Sequence, residues 1–299
     1  MSESNFDLIA GSADSAVILH IPHSSRVIPA DTRQDLLFSD QDLERELDEI
    51  TDTLTDLVAM ESLKKLDSNT PLPWLFINRL SRLVIDPERF PDDREVMNKV
   101  GMGAVYTKGT SGKQLRAADF NSSELLERYF HPYSRALSRL VSDRLSKTGY
   151  ALIIDVHSYR PQQHPNAINH GQMRPSICMG TDKFHTPDWL RTLFLKEFKV
   201  LGECLENQPY SGSYIPLEFF EIEERVWSVM LEARSDTFLD YALKPHQELA
   251  EISGALARFI SSAQASALRP CLINCLVSPA LPTQSFSKLD FQFERGNGW

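Results

Sequence analysis

The chain has 299 residues, 42% hydrophobic and 24% charged, enough to bury the core of one large α/β domain or two small ones. Its 31 lysines and arginines against 41 aspartates and glutamates leave a formal charge of -10, without the basic footprint of a nucleic-acid or anionic-membrane binder. No basic leader precedes a long apolar run, no window approaches about 18 apolar residues, and Cys178, Cys204, Cys271 and Cys275 lack CxxC spacing. A cytoplasmic protein with reduced thiols, and with neither nucleic-acid nor membrane partners, is expected.

Along the chain, Ala16 to Ile21 (AVILHI) is an apolar run of strand length that opens into Pro22-His23-Ser24-Ser25. Ser39-Asp40 predicts the cap of a helix to about Lys65, in which Leu43, Leu47, Ile50, Leu54, Leu57 and Val58 keep i, i+3, i+4 spacing. Short strands are expected over 73–77 and 82–85, and a second helix from Asn121-Ser122-Ser123 through Leu145, ending at Gly149. Then come a strand over 151–156 that stops on Asp155, His157 and Ser158, a strand over 176–179, a helix over 187–201, a strand over 226–231 and a helix over 241–267. Strands alternating with helices predict one α/β domain over 1–268, with a mostly parallel or mixed central sheet and helices on both faces. Residues 269–299 read as an irregular tail packed on that domain, and 90–119 and 160–175 as active-site loops.

Ligands of such sheets collect at the carboxyl ends of the strands, and here His23, Asp86, His157 and Glu232 end strands in polar groups. A catalytic zinc site takes three protein ligands from His, Asp and Glu and keeps one position open. His23 and His157 are the natural pair. Glu49, Asp52 and Asp56 all offer a third ligand from the first helix, and spacing leaves the choice open. Asp155, two residues before His157, suits either the orientation of a ligand or a substrate contact. Glu232 emerges from the apolar VWSVML run, and a buried glutamate beside a metal makes a sound general base. Arg79, Arg82 and Arg89 cluster densely for an acidic protein, and their planar forks match carboxylates.

These pieces, in this order, resemble the N-formylglutamate amidohydrolase (deformylase) family, which is similar to the zinc carboxypeptidase and aspartoacylase group. The resemblance covers roughly residues 16 to 265. It rests on Ile21-Pro22-His23-Ser24, Thr51-Asp52 with Asp56, Ser81 to Pro87 with Arg89, His131-Pro132-Tyr133, Asp155 to Tyr159, Gly212-Ser213-Tyr214-Ile215 and Leu231-Glu232. It implies a three-layer sandwich and one zinc ion held by His23, His157 and an acidic ligand for which Asp52 is the best match. It further implies Glu232 as general base, Arg82 as a catalytic arginine, and substrate contacts from Arg89, Arg79, Ser158, Tyr133 and Tyr214. The implied substrate is a small anionic acyl amino acid, with N-formyl-L-glutamate giving formate and L-glutamate as the leading case. The chain departs from the family pattern at Ser134, where a histidine is common, at Glu88, where asparagine precedes the arginine, and at Ser25, where glycine is frequent. In the family those positions fall in the substrate-contacting parts, so a different acyl amino acid or a short peptide is the first alternative. A metal- or small-ligand-binding protein without catalysis is the second.

Overall fold

Runs of Val, Ile and Leu without alternation belong to strands covered on both faces, and the computed structural model, which describes residues 4–162 and 170–276 with side chains as far as Ala267, shows them so. Strands β1 (Phe6–Ile9), β2 (Val17–Ile21), β3 (Trp74–Asn78), β4 (Ala151–Tyr159), β5 (Ile177–Gly180), β6 (Cys204–Glu206) and β7 (Val226–Arg234) form one sheet in the order β1-β3-β2-β4-β7-β5-β6. The central strands β3, β2, β4 and β7 run parallel, while β1 is antiparallel to β3 and β5 to β7. Every residue of β2 and β4 is buried.

The helices are α1 (Ala30–Gln34), α2 (Asp40–Ile50), α3 (Thr55–Leu63), α4 (Ser123–Leu125), α5 (His131–Thr148), α6 (Asp188–Phe198) and α7 (Leu249–Leu276). Leu19, Ile154, Val156 and Leu231 face α3, α6 and α7 through Val58, Phe194 and Phe259. On the other face Ile18, Phe76 and Ile153 pack against Tyr133, Leu137 and Val141 of α5. The result is the expected mixed sheet between two helical layers.

Several expected elements differ, each for a local reason. The helix expected over 39–65 begins as predicted, with Ser39 Oγ accepting from the Asp42 amide, but breaks at Thr51–Leu54 into α2 and α3. Asp52 N donates to His23 O at 3.0 Å, Thr55 Oγ1 to Asp52 O at 2.9 Å, and Leu54 turns the chain through φ 63°. Residues 82–85 form a turn instead of a strand. Val84 N and Ile85 N donate to Ser81 O, and the buried Arg116 guanidinium donates to Leu83 O. Leu83, Val84 and Ile85 are buried all the same, because a short apolar run signals burial more surely than conformation.

The expected helix over 121–145 contains a π-helical turn, Leu126–Phe130, ahead of α5. The last helix starts at Leu249 because Asp240 folds 240–244 into a turn by accepting from the Ala242 and Lys244 amides, and it continues past Arg269 to Leu276. Residues 277–299 of the expected tail and 163–169 of the expected loop lie outside the described residues. Strands β1 and β6 are short and partly exposed, and so carry little apolar signal. Among the described residues no helix is long and apolar enough to cross a membrane.

Ile154 lies fully buried at the centre of the sheet. Ile154→Ala is expected to lower the unfolding free energy by about 2–5 kcal/mol in urea denaturation. A loss under about 0.5 kcal/mol would be that of a site outside the packed core.

Candidate metal centre and active site

Side chains alternate along a strand, so His20 of β2, Asp155 and His157 of β4, and Glu232 of β7 emerge on the α5 side of the sheet. Register places His20 beside Asp155 and His157 beside Glu232. His23 follows β2 by two residues, and the hydrogen bond from the Asp52 amide to its carbonyl draws the α2–α3 break to the same point. His23 Nδ1 lies 3.2 Å from His157 Nδ1, Asp52 Oδ2 lies 2.9 Å from His157 Nδ1, and the third side of this triangle is 3.6 Å. All three side chains are buried. A tetrahedral zinc with bonds of about 2.0–2.2 Å needs donors roughly 3.3–3.6 Å apart, so one side already has that length, the other two must open by about 0.1–0.4 Å, and the N, N, O donors suit a divalent cation.

The far ring nitrogens support the same side. His23 Nε2 is hydrogen-bonded to Asp86 Oδ1 at 3.0 Å. His157 Nε2 stands 3.1 Å from Asp155 Oδ2 and 3.3 Å from Glu88 Oε2, off the line of a hydrogen bond to either. Carboxylates at both Nε2 atoms favour protons there and lone pairs on Nδ1. A second arrangement is also close: Glu88 could join His23 and His157 at their Nε2 atoms, or join His20 and Asp155. The Asp86 bond makes the Nδ1 side the better donor set.

Asp86 is the hub of the neighbouring charges. It is fully buried and accepts from Arg82 Nε at 3.1 Å, Arg82 Nη2 at 3.0 Å and the Tyr106 hydroxyl at 3.1 Å, with Arg89 Nε at 3.5 Å. Burial would raise its carboxyl, but Arg82 and His23 outweigh that and hold it well below the usual range. Burial likewise opposes the charge on Asp52, yet hydrogen bonds from His157 and His23 bring it to about 2. Glu232 goes the other way. Burial pushes it up to about 8, with Asp52 adding to the rise and His157 and Arg82 opposing it. Glu232 Oε2 is buried without a hydrogen-bond partner, as befits an acceptor that serves a ligand.

The other expected site residues scatter. Arg82 and Arg89 are at the site but bound to Asp86, whereas Arg79 pairs at the surface with Asp7 at 2.7 Å and Asp56 at 3.4 Å. Glu49 lies 3.9 Å from Arg160, so of the three acidic candidates only Asp52 reaches the histidines. Tyr133 is fully buried with its hydroxyl on His20, and the Tyr214 ring packs 4.9 Å from that of His20. Ser158 lines a small crevice on the other side of the strand with Thr51, Thr53 and Arg160. Two residues of this cluster go unmarked in the sequence reading of the metal site. His20 is hidden inside an apolar run, and its signal is a histidine in register with Asp155; Glu88 shows only as a departure from the family pattern.

The sequence profile of the N-formylglutamate amidohydrolase family matches residues 15–239. An N-formylglutamate deformylase of Pseudomonas aeruginosa is 26% identical over 168 residues, 54% of this chain, and the chain spans 62% of that relative's length. Among solved structures, the N-formylglutamate amidohydrolase from Ralstonia eutropha superposes with a TM-score of 0.71 at 17% identity, covering 89% of this chain and 99% of that one. A gene product from Agrobacterium tumefaciens gives 0.65 at 20% identity, covering 88% and 96%. These two share the fold.

The protein is expected to take up roughly one equivalent of zinc, measured by plasma mass spectrometry, with His23→Ala and Asp52→Ala each abolishing that uptake and Glu232→Gln keeping it. Full metal content in Asp52→Ala would contradict the Nδ1-side site. Glu232 also predicts a pH effect in metal-free protein. Folded, its carboxyl stands at about 8; unfolded, it returns to its ordinary 4.5. Between these values the folded chain holds a proton that the unfolded chain lacks, so stability falls as pH rises through the window. In thermal melts with chelator, Glu232→Gln flattens that decline; an unchanged slope would mean that Glu232 is ionised in the fold.

Proposed function

The chain belongs to the N-formylglutamate amidohydrolase family, and on that footing we propose that it is a metal-dependent amidohydrolase of a small N-acyl amino acid, with N-formyl-L-glutamate as the leading substrate. The observation that carries this reading is the buried His23, Asp52 and His157 triangle with Glu232 in register beside His157. Zinc suits the donor set; when bound it supplies a Lewis acid for an amide carbonyl and lowers the pKa of water.

The remaining chemistry belongs to the side chains. Glu232, which a cation in the site would draw to its ionised form, takes the proton of the attacking water and returns it to the departing amine. Arg82, fixed by Asp86, sets a permanent positive charge beside the histidines for the developing oxyanion. Asp86 is hydrogen-bonded to the His23 ring, and Asp155 sets its charge 3.1 Å from His157 Nε2.

A second substrate reading rests on Glu88. Arg82 and Arg89 already face Asp86, and Glu88 Oε2 adds a negative charge 3.5 Å from His23 Nε2 and 3.3 Å from His157 Nε2. An acyl amino acid less anionic than formylglutamate meets less repulsion there. Formate release is therefore to be compared for N-formyl-L-glutamate and N-formyl-L-glutamine, beside acetyl and peptide analogues. Turnover of a formyl substrate is expected, with Glu232→Gln lowering kcat by about 10²-fold or more. Glu88→Gln is expected to shift the kcat/KM ratio toward the dianionic substrate by about tenfold. Undiminished turnover in metal-free protein would overturn the metal-dependent reading.

A further inference from the structure

His20 takes no part in the His23, Asp52 and His157 triangle, yet it sits fully buried in β2 among Val, Ile and Leu. An imidazole so placed is costly unless its polar atoms are bonded, and both nitrogens are. Nδ1 lies 2.8 Å from Asp155 Oδ1 and Nε2 lies 2.5 Å from the Tyr133 hydroxyl. Sheet register sets the first contact, and α5 carries Tyr133 to the second.

The direction of these bonds follows from the chemistry of the end group. An aspartate at neutral pH has no proton to give, so Asp155 can only accept. Nδ1 of His20 must then donate, its Nε2 must accept, and Tyr133 must be the donor to Nε2. The second oxygen of Asp155 lies 3.1 Å from His157 Nε2, off the line of a hydrogen bond but close enough for its charge to favour a proton there. His157 has a competing acceptor at its other nitrogen, Asp52 at 2.9 Å. Which nitrogen keeps the proton decides whether Nδ1 can serve as a ligand.

We propose that Tyr133, His20 and Asp155 form a positioning relay that keeps the proton of His157 on Nε2 and turns its unprotonated Nδ1 toward His23 Nδ1 and Asp52. Asp155 Oδ1 fixes the tautomer of His20, Tyr133 satisfies the lone pair left on His20 Nε2 and holds the ring, and Asp155 Oδ2 is left for His157. Glu88 Oε2, at 3.3 Å, is a second acceptor for the same proton. This rests on the metal reading above, and it makes His20 and Tyr133 positioning residues without contact to substrate.

The test measures zinc affinity, by competition with a chromophoric chelator, in the wild type, His20→Leu, His20→Asn and Tyr133→Phe, with circular dichroism as the check on folding. His20→Leu is expected to weaken zinc binding by about 10–100-fold. His20→Asn, whose amide can donate to Asp155, is expected to recover most of that loss. Tyr133→Phe removes one hydroxyl, keeps the core shape and is expected to weaken binding several-fold, so it decides the matter if His20→Leu does not fold. Nitrogen-15 spectra of the zinc-loaded wild type are expected to show His20 protonated on Nδ1 and His157 on Nε2. Wild-type affinity in folded His20→Leu or Tyr133→Phe overturns the relay and leaves the metal site standing. Two equivalents of zinc in the wild type that fall to one in His20→Leu also overturn it, because His20 would then be a ligand. A wild type that binds no zinc overturns the metal reading and the relay together.

Discussion

Five carboxylates, those of Asp52, Asp86, Glu88, Asp155 and Glu232, crowd the carboxyl ends of the central strands around Arg82 and Arg89, and charge at that depth persists only when it is paired. Glu232 relieves part of the load by keeping its proton up to about pH 8. The four carboxylates that remain exceed the two arginines by two charges. In metal-free protein that excess favours protons on the histidines: burial opposes this in both, and Arg82 opposes it in His23, but Asp86 and Glu88 raise His23, and Asp155 and Glu88 raise His157. A divalent cation meets it equally, so metal and protons compete for one electrostatic vacancy.

The scaffold serves that pairing. Parallel strands covered on both faces hold His20, Asp155, His157 and Glu232 at fixed register, and irregular backbone supplies the rest. Asp52 comes from a broken helix, and Arg82, Asp86, Glu88 and Arg89 from the turns after β3 that Arg116 braces from within. Rigid strands and adaptable loops divide the work in the way common to α/β enzymes.

How much was legible beforehand follows the same division. His23, His157 and Glu232 stand out in the sequence because each interrupts or ends an apolar strand. Asp52 does not stand out from Glu49 and Asp56, because helical spacing carries no trace of the hydrogen bond from its amide to His23 O. Arg82 to Ile85 reads as a strand because three buried apolar residues look alike in a strand and in a braced turn. The partners of His20 and Glu88 are set by contacts across the sheet and from a distant turn, which local pattern does not encode.

Family membership supports the proposed class of reaction, and the buried charge pattern is the reason a metal would suit this site. On this reading one cation sits on the Nδ1 side of the two histidines, which anomalous diffraction at the zinc edge, from crystals grown with zinc, would locate. One peak is expected within about 2.0–2.2 Å of His23 Nδ1, His157 Nδ1 and an Asp52 oxygen. A peak on the Nε2 side bonded to Glu88, or no peak at all, would contradict it.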